Sequence, residues 1–290
     1  MANRALHNLG ATPRKGNHPC NLCGQFGKLT RTHVPAKAAG NRVRRSRMVS
    51  ANGRVIPDPD PRDGGLYVFA HCRTCNGDLQ AQYDPAYAEM ANGLRHLWVP
   101  YPTPGMPLRH ALPAIDIMPG AIARTVLIGF FALAPKLRAL HPGLADSLVR
   151  RDPAITLPPN FAIHLALSVG TQARIAGPFF NIVASSMGRG ARNVGVRSSA
   201  SIYFPPLAWQ FAPPDDVLLT AQGWANVSDW LSMPADRTVP LRTVCPPTLP
   251  MVWVPEFDPM FRRNMVSMGG GKIAEIVMAT DVPAQLFDRA

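Results

Sequence analysis

Four of the five cysteines stand in two pairs with the same spacing, Cys20-x-x-Cys23 and Cys72-x-x-Cys75. Two thiolates on one tight turn hold one edge of a tetrahedral ion at about 2.3 Å, and two such turns complete the coordination of zinc. Gly24 follows the first pair and Asn76-Gly77 the second, the small and turn-forming residues that zinc knuckles carry. A redox dithiol is the other chemistry open to a CxxC, but it normally opens a helix of a thioredoxin-like unit, and neither pair reads that way. Cys245 is left over and reads as a buried, inert thiol.

Between the pairs lies LTRTHVPAKA, residues 29–38, with His33 directly before Val34-Pro35. A histidine at a strand end, rigidified by a proline, is well placed to project its imidazole into a cleft. Arg31 and Lys37 flank it closely enough for one of them to offset charge on a phosphate. Behind it Arg42, Arg44, Arg45 and Arg47 form an arginine-rich stretch suited to backbone phosphates. Eleven of the 30 Lys and Arg, and none of the 18 Asp and Glu, lie in residues 1–54. That segment therefore carries +11 of the net +12, and a basic excess so confined reads as a phosphate-contacting surface.

Local elements must position these groups. Leu29–Val34 and Leu66–Ala70 read as short strands, and the residues after Asp84 as a helix with Asp84 at the N-cap and Pro85 in its first position. The intervening insertion reads as an arginine-rich hairpin or loop around Asn52-Gly53 followed by a proline-spaced loop. Residues 1–19 have the composition of a basic arm. Six prolines in 100–119 make that stretch the linker candidate. Beyond it, residues 120–151 have helical spacing broken near Pro135 or His141-Pro142, and 160–255 are short β-favouring runs. The organisation expected is a basic arm (1–19), a zinc-bearing module (20–99), a proline-rich linker (100–119) and a helical plus β-rich domain (120–290).

The order of a CxxC, a strand ending in His-Val-Pro, an insertion and a second CxxC followed by Asn resembles the zinc-ribbon, four-cysteine branch of the HNH endonucleases. The resemblance runs from about Cys20 to Leu97, a quarter of the chain. It implies an α+β fold whose N-terminal ββα-metal module is clamped by a structural Zn2+ on Cys20, Cys23, Cys72 and Cys75. It further implies that His33 is the general base for phosphodiester hydrolysis, and that Asn76 and Asp84, ahead of Asp78 and Glu89, attend a catalytic Mg2+ or Mn2+. Two positions depart from the family pattern. Thr32 stands where Asp or Glu is common, and Gly65-Leu66-Tyr67 stands where a bracing asparagine is expected.

The function expected is thus a metal-dependent endonuclease acting on DNA, with RNA as a second candidate substrate and defence against foreign DNA as a role by analogy. The alternative is a zinc-ribbon nucleic-acid-binding protein that does not cleave. GGGK at 269–272 lacks the first glycine and the Ser/Thr of a phosphate loop. Trp224 and Trp230 read as packing residues rather than a base-stacking platform. The longest apolar run, Val126 to Ala134, is far below the roughly 20 residues that span a bilayer, and MANRALHNLG has no apolar leader core. A cytoplasmic, membrane-free protein is expected, and the sequence carries no signature of its oligomeric state.

Overall fold

The computed structural model describes residues 16–51, 54–57, 63–187, 191–254 and 274–279. The predicted basic arm therefore lies mostly outside the described residues, as do Asn52-Gly53, the centre of the proline-spaced loop at 58–62, and GGGK.

The chain begins with a small hairpin, β1 (His18–Pro19) against β2 (Phe26–Gly27), wrapped around the first cysteine pair. β3 (Thr30–His33) follows, then β4 (Ser46–Ala51) and β5 (Arg54–Pro57), then β6 (Tyr67–His71). β3 and β6 pair antiparallel, with His33 opposite Tyr67 and Thr32 opposite Val68. A π-helical turn, Thr74–Leu79, runs directly into α1 (Gln80–Gly93). Two strands and a helix thus form the N-terminal unit, in a chain of mixed helix and sheet. The helix starts earlier than expected. Asp84 is not its N-cap but an interior residue, and Pro85 lies inside the helix.

β7 (Arg109–Ala111) and β8 (Asp116–Ile117) lead to α2 (Pro119–Leu133), α3 (Pro135–Leu140) and α4 (Pro142–Arg150). Both candidate breaks are used, giving three helices, because each proline sits at a helix N-terminus where it has no hydrogen bond to lose. All fifteen residues of α2 are buried, as an all-round apolar sequence requires. Its one charge, Arg124, donates to the carbonyls of Gly120, Met233, Asp152 and Pro153, which ties three chain segments together.

The remaining elements are β9 (Ala162–Val169), β10 (Ala173–Met187), β11 (Ala191–Phe204), β12 (Leu207–Ala212), α5 (Val217–Ala221), β13 (Ala225–Asn226), β14 (Val239–Pro240), α6 (Leu241–Val244), β15 (Thr248–Trp253) and β16 (Ala274–Ala279). The large sheet has the order β5-β4-β16-β10-β11-β12-β9-β15-β7, with β13 also on β9. Every pairing in it is antiparallel except β9 with β15. The arginine-rich insertion supplies the hairpin at one edge: Val49 of β4 lies opposite Glu275 of β16, more than 200 residues away. One hydrophobic core runs from Cys20 and Leu22 through Tyr87 and Phe130 to Trp209, Trp230 and Leu249, so packing continues across 100–119. Trp224 and Trp230 are both buried, as expected of packing residues.

Candidate functional site

The four cysteines of the two pairs come together. Their sulfurs lie within 4.8 Å of one another, and Cys23 and Cys72 approach to 3.7 Å. Sulfurs at the corners of a tetrahedron about 2.3 Å from a central ion stand roughly 3.8 Å apart, so the cluster can hold a zinc ion. The Cys72 N–H donates to the Cys20 sulfur at 3.3 Å, and the Cys20 carbonyl accepts from the Gly24 N–H. Gly24, at φ +77°, closes this turn.

Cys20, Cys23 and Cys75 do not ionise together in this setting. The Cys75 thiol beside it holds Cys20 down to about 3, while Cys75, tied to that sulfur and buried, is held far above the ordinary thiol range. Burial pushes Cys23 up to about 11. A dication held by the cluster would draw the protons from Cys23 and Cys75. The second pair does lie where a helix begins, unlike the reading from sequence. Its association with Cys20 and Cys23 separates it from an isolated dithiol. Cys245 is buried, and its thiol is pushed up to about 12.

The cluster is fixed to the rest of the chain. Asn21 donates from its side chain to the Ala132 carbonyl of α2 at 3.2 Å. Arg138 of α3 donates to the Leu22 carbonyl and pairs with Asp146 of α4 at 3.2 Å.

From this anchor the second pair leads to Asn76, whose side-chain amide donates to the Arg31 carbonyl at 3.0 Å. Two residues along β3, on the same face by strand alternation, stands His33. Its Nε2 lies 2.9 Å from the Gly64 carbonyl. A carbonyl only accepts, so Nε2 carries the proton and the Nδ1 lone pair is left for chemistry. Burial lowers the pKa of His33, the Gly64 hydrogen bond opposes this, and the positive charges of Lys37, Arg31 and Arg45 lower it further. The imidazole is therefore neutral at pH 7. The Tyr67 ring stands against it with centroids 5.6 Å apart.

A residue missed from the sequence holds this corner in place. Asn41 is fully buried; its amide donates to the carbonyls of Pro35 (2.7 Å) and Leu66 (2.9 Å), and its Oδ1 accepts from the Leu66 N–H (2.6 Å). It thus braces the loop after His33 against the strand after Gly64. Gly65, at φ +86°, passes so close that a Cβ there would lie 2.1 Å from the Asn41 carbonyl oxygen. Beside Gly40, Asn41 reads locally as a turn residue, and no sequence signal gives its distant partners.

The other expected residues are distributed unevenly. Arg31, Lys37, Arg42 and Arg44 are exposed. Arg45 is only 5% exposed: its guanidinium lies 3.6 Å from the Tyr67 ring centroid and donates to the Tyr67 carbonyl. It supports the site from behind rather than facing solvent. Arg47 lies on β4, opposite Val277 of β16.

Asp84 does not join His33. Its carboxyl faces Gln80 and Thr125 at the α1–α2 interface, where burial raises its pKa to about 7. Gln80 donates to the His33 carbonyl at 3.3 Å, so Asp84 reaches His33 only through the backbone. Thr32 is fully buried, and its hydroxyl accepts from the His71 N–H. Among the described residues the cysteine set is the one group of three or more His, Cys, Asp or Glu whose ligand atoms converge. Asp84, expected near His33 and Asn76 at a catalytic Mg2+ or Mn2+, is thus turned to Gln80 and Thr125.

The chain matches no protein-family model, no curated protein and no solved structure. No described helix is long and apolar enough to cross a membrane.

Proposed function

We propose that the protein is an HNH-type endonuclease that hydrolyses DNA phosphodiester bonds, with His33 as general base. The observation that carries the reading is the 2.9 Å bond from His33 Nε2 to the Gly64 carbonyl, on a strand tied to a four-cysteine cluster through Asn76. That bond leaves a neutral imidazole whose Nδ1 can accept a proton. A water oxygen bonds to phosphorus as its proton passes to Nδ1, the bond from phosphorus to the 3′ oxygen breaks, and solvent protonates the leaving oxygen.

Arg31 and Lys37, exposed and close enough to lower the pKa of His33, would balance the charge that develops on the phosphate. The zinc on Cys20, Cys23, Cys72 and Cys75 would be structural, setting Asn76 and so the end of β3. Nicking of supercoiled plasmid by the wild type beside His33→Ala tests the proposal.

One observation favours the second reading, a zinc-ribbon protein that binds nucleic acid without cleaving it. Thr32 is buried and Asp84 is turned toward Thr125, so the imidazole has neither carboxylate beside it. Salt-sensitive DNA binding with no nicking under Mg2+ or Mn2+ would select that reading.

A further inference from the structure

Gln80 opens α1 and is only 3% exposed. A buried side-chain amide is costly unless both its ends are bonded, so its partners define its role. Its Nε2 donates to the His33 carbonyl at 3.3 Å. The end of β3 is thereby held from three sides. The Val34 N–H donates to the Leu66 carbonyl at 3.0 Å, the Gly64 carbonyl takes the imidazole Nε2, and α1 reaches over through Gln80.

The other end of that amide faces a carboxyl. Asp84 stands one turn along α1 from Gln80, on the same face, and its carboxyl is turned to Gln80 and to Thr125 of α2. Gln80 Oε1, Asp84 Oδ1 and Thr125 Oγ1 are buried and have no hydrogen-bond partner among the described residues. Oxygens gathered in this way need a hydrogen between them. A protonated Asp84 has one O–H to donate, with Gln80 Oε1 as an acceptor beside it, whereas an ionised Asp84 only accepts.

The two states act on Gln80 in opposite directions. An O–H from Asp84 to Gln80 Oε1 keeps the amide turned with Nε2 toward His33. A carboxylate draws Nε2 to itself, and a charged acceptor competes well with a carbonyl held at 3.3 Å. The amide has room to swing, because a cavity lined by His33, Gln80, Thr125, Val126 and Gly129 lies beside it.

The titratable and charged groups around Asp84 are otherwise engaged or exposed. Tyr87 accepts from Trp209, and burial keeps its phenol protonated. Arg124, next to Thr125, is committed to four backbone carbonyls and faces Tyr83. Lys37 and Asp116, on elements packed against α1, are exposed. Burial raises the Asp84 pKa to about 7 and lowers that of His33, so a protonated Asp84 and a neutral imidazole coexist just below neutral pH.

We infer that Gln80 is a positioning residue for His33, and that the proton on Asp84 locks the Gln80 amide onto the His33 carbonyl. This rests on the proposal that His33 is the general base. The carbonyl and the imidazole belong to one residue, so a shift of the first re-aims Nδ1 at the water it must deprotonate.

The test uses zinc-loaded full-length protein labelled with 15N in glutamine. The Gln80 side-chain amide signals, identified by their loss in Gln80→Met and Gln80→Glu, should shift with the Asp84 titration between about pH 5.5 and 8.5. In Asp84→Asn, whose amide donates at every pH, they should stay fixed. On supercoiled plasmid, Gln80→Met should lower kcat about tenfold with DNA affinity unchanged. The ratio of kcat in Asp84→Asn to kcat in the wild type should rise severalfold from about pH 6 to 8.5. Wild-type kcat in Gln80→Met or a flat ratio overturns the inference, as do Gln80 signals that ignore the Asp84 titration. Should Gln80→Met fail to fold, the amide signals of wild type and Asp84→Asn and the kcat ratio decide the matter. Absence of nicking in the wild type defeats the nuclease proposal and with it the positioning role, while the amide signals still report whether Asp84 locks Gln80.

Discussion

His33 and Gly64 are joined by a 2.9 Å hydrogen bond from the imidazole Nε2 to a backbone carbonyl, 31 residues along the chain. The bond fixes the tautomer, because the carbonyl has no proton to give. It also orients the ring, since Gly64 is itself held through Gly65, whose N–H donates to the Val43 carbonyl at 2.9 Å. The imidazole is thereby set by backbone geometry, with no carboxylate partner among the described residues.

This sets the pH dependence. Burial and the nearby cations keep the His33 pKa below its ordinary value of 6.5. Cleavage requires the neutral form, so kcat/KM should rise with pH through an apparent pKa below 6.5 and level off by pH 7. Lys37→Ala should move that midpoint upward. A pH–rate profile measures both, and a midpoint above 7 would exclude His33 as the base in this environment.

Asn41→Ala should destabilise the protein by about 3 kcal/mol, because it strands the buried Leu66 N–H along with the Pro35 and Leu66 carbonyls. Nicking should fall further than the lost folded fraction explains, since the brace sets the loop after His33. Denaturant unfolding and activity measured together check this. A variant of wild-type stability would show that the Asn41 bonds contribute nothing net.

Zinc should bind at one ion per chain, and Cys75→Ser should lose it. Removal by a chelator should melt the β1–β2 turn and free Asn76 from Arg31, and with it DNA cleavage. Metal analysis and circular dichroism before and after chelation provide the readout; full zinc content in Cys75→Ser would contradict the four-cysteine site.

Asp84 gives a stability signature of opposite sign to most carboxylates. Its folded pKa of about 7 lies above the ordinary 3.8, so the folded state holds the proton more tightly. Stability is then fully present below about pH 4 and declines as pH rises toward 7, by a few kcal/mol at most. Asp84→Asn should remove that decline and melt higher than wild type at pH 8. An unchanged or lower melting temperature at pH 8 would mean that the ionised carboxylate has a favourable partner.

Short-range signals were legible in the sequence. The cysteine spacing, the strands at Thr30–His33 and Tyr67–His71, and the helix breaks at Pro135 and Pro142 each follow from a few adjacent residues. What escaped depends on contacts far apart in the chain. Arg45 looks like its exposed neighbours Arg42 and Arg44 until Tyr67 lies beneath it. The hairpin of β4 and β5 gives no local sign of the sheet it joins, because its partner strand begins at Ala274. Asp84 mimics an N-cap because Pro85 usually opens helices, whereas here the π-helical turn after Cys72 has already started one.

The most direct measurement is the nicking of supercoiled plasmid by zinc-loaded protein, with and without added Mg2+ or Mn2+, for wild type and His33→Ala side by side. The account predicts nicking by the wild type and a loss of about a hundredfold or more in His33→Ala, with DNA affinity retained. Cleavage that survives His33→Ala, or a wild type that binds duplex DNA and never nicks it, would contradict it.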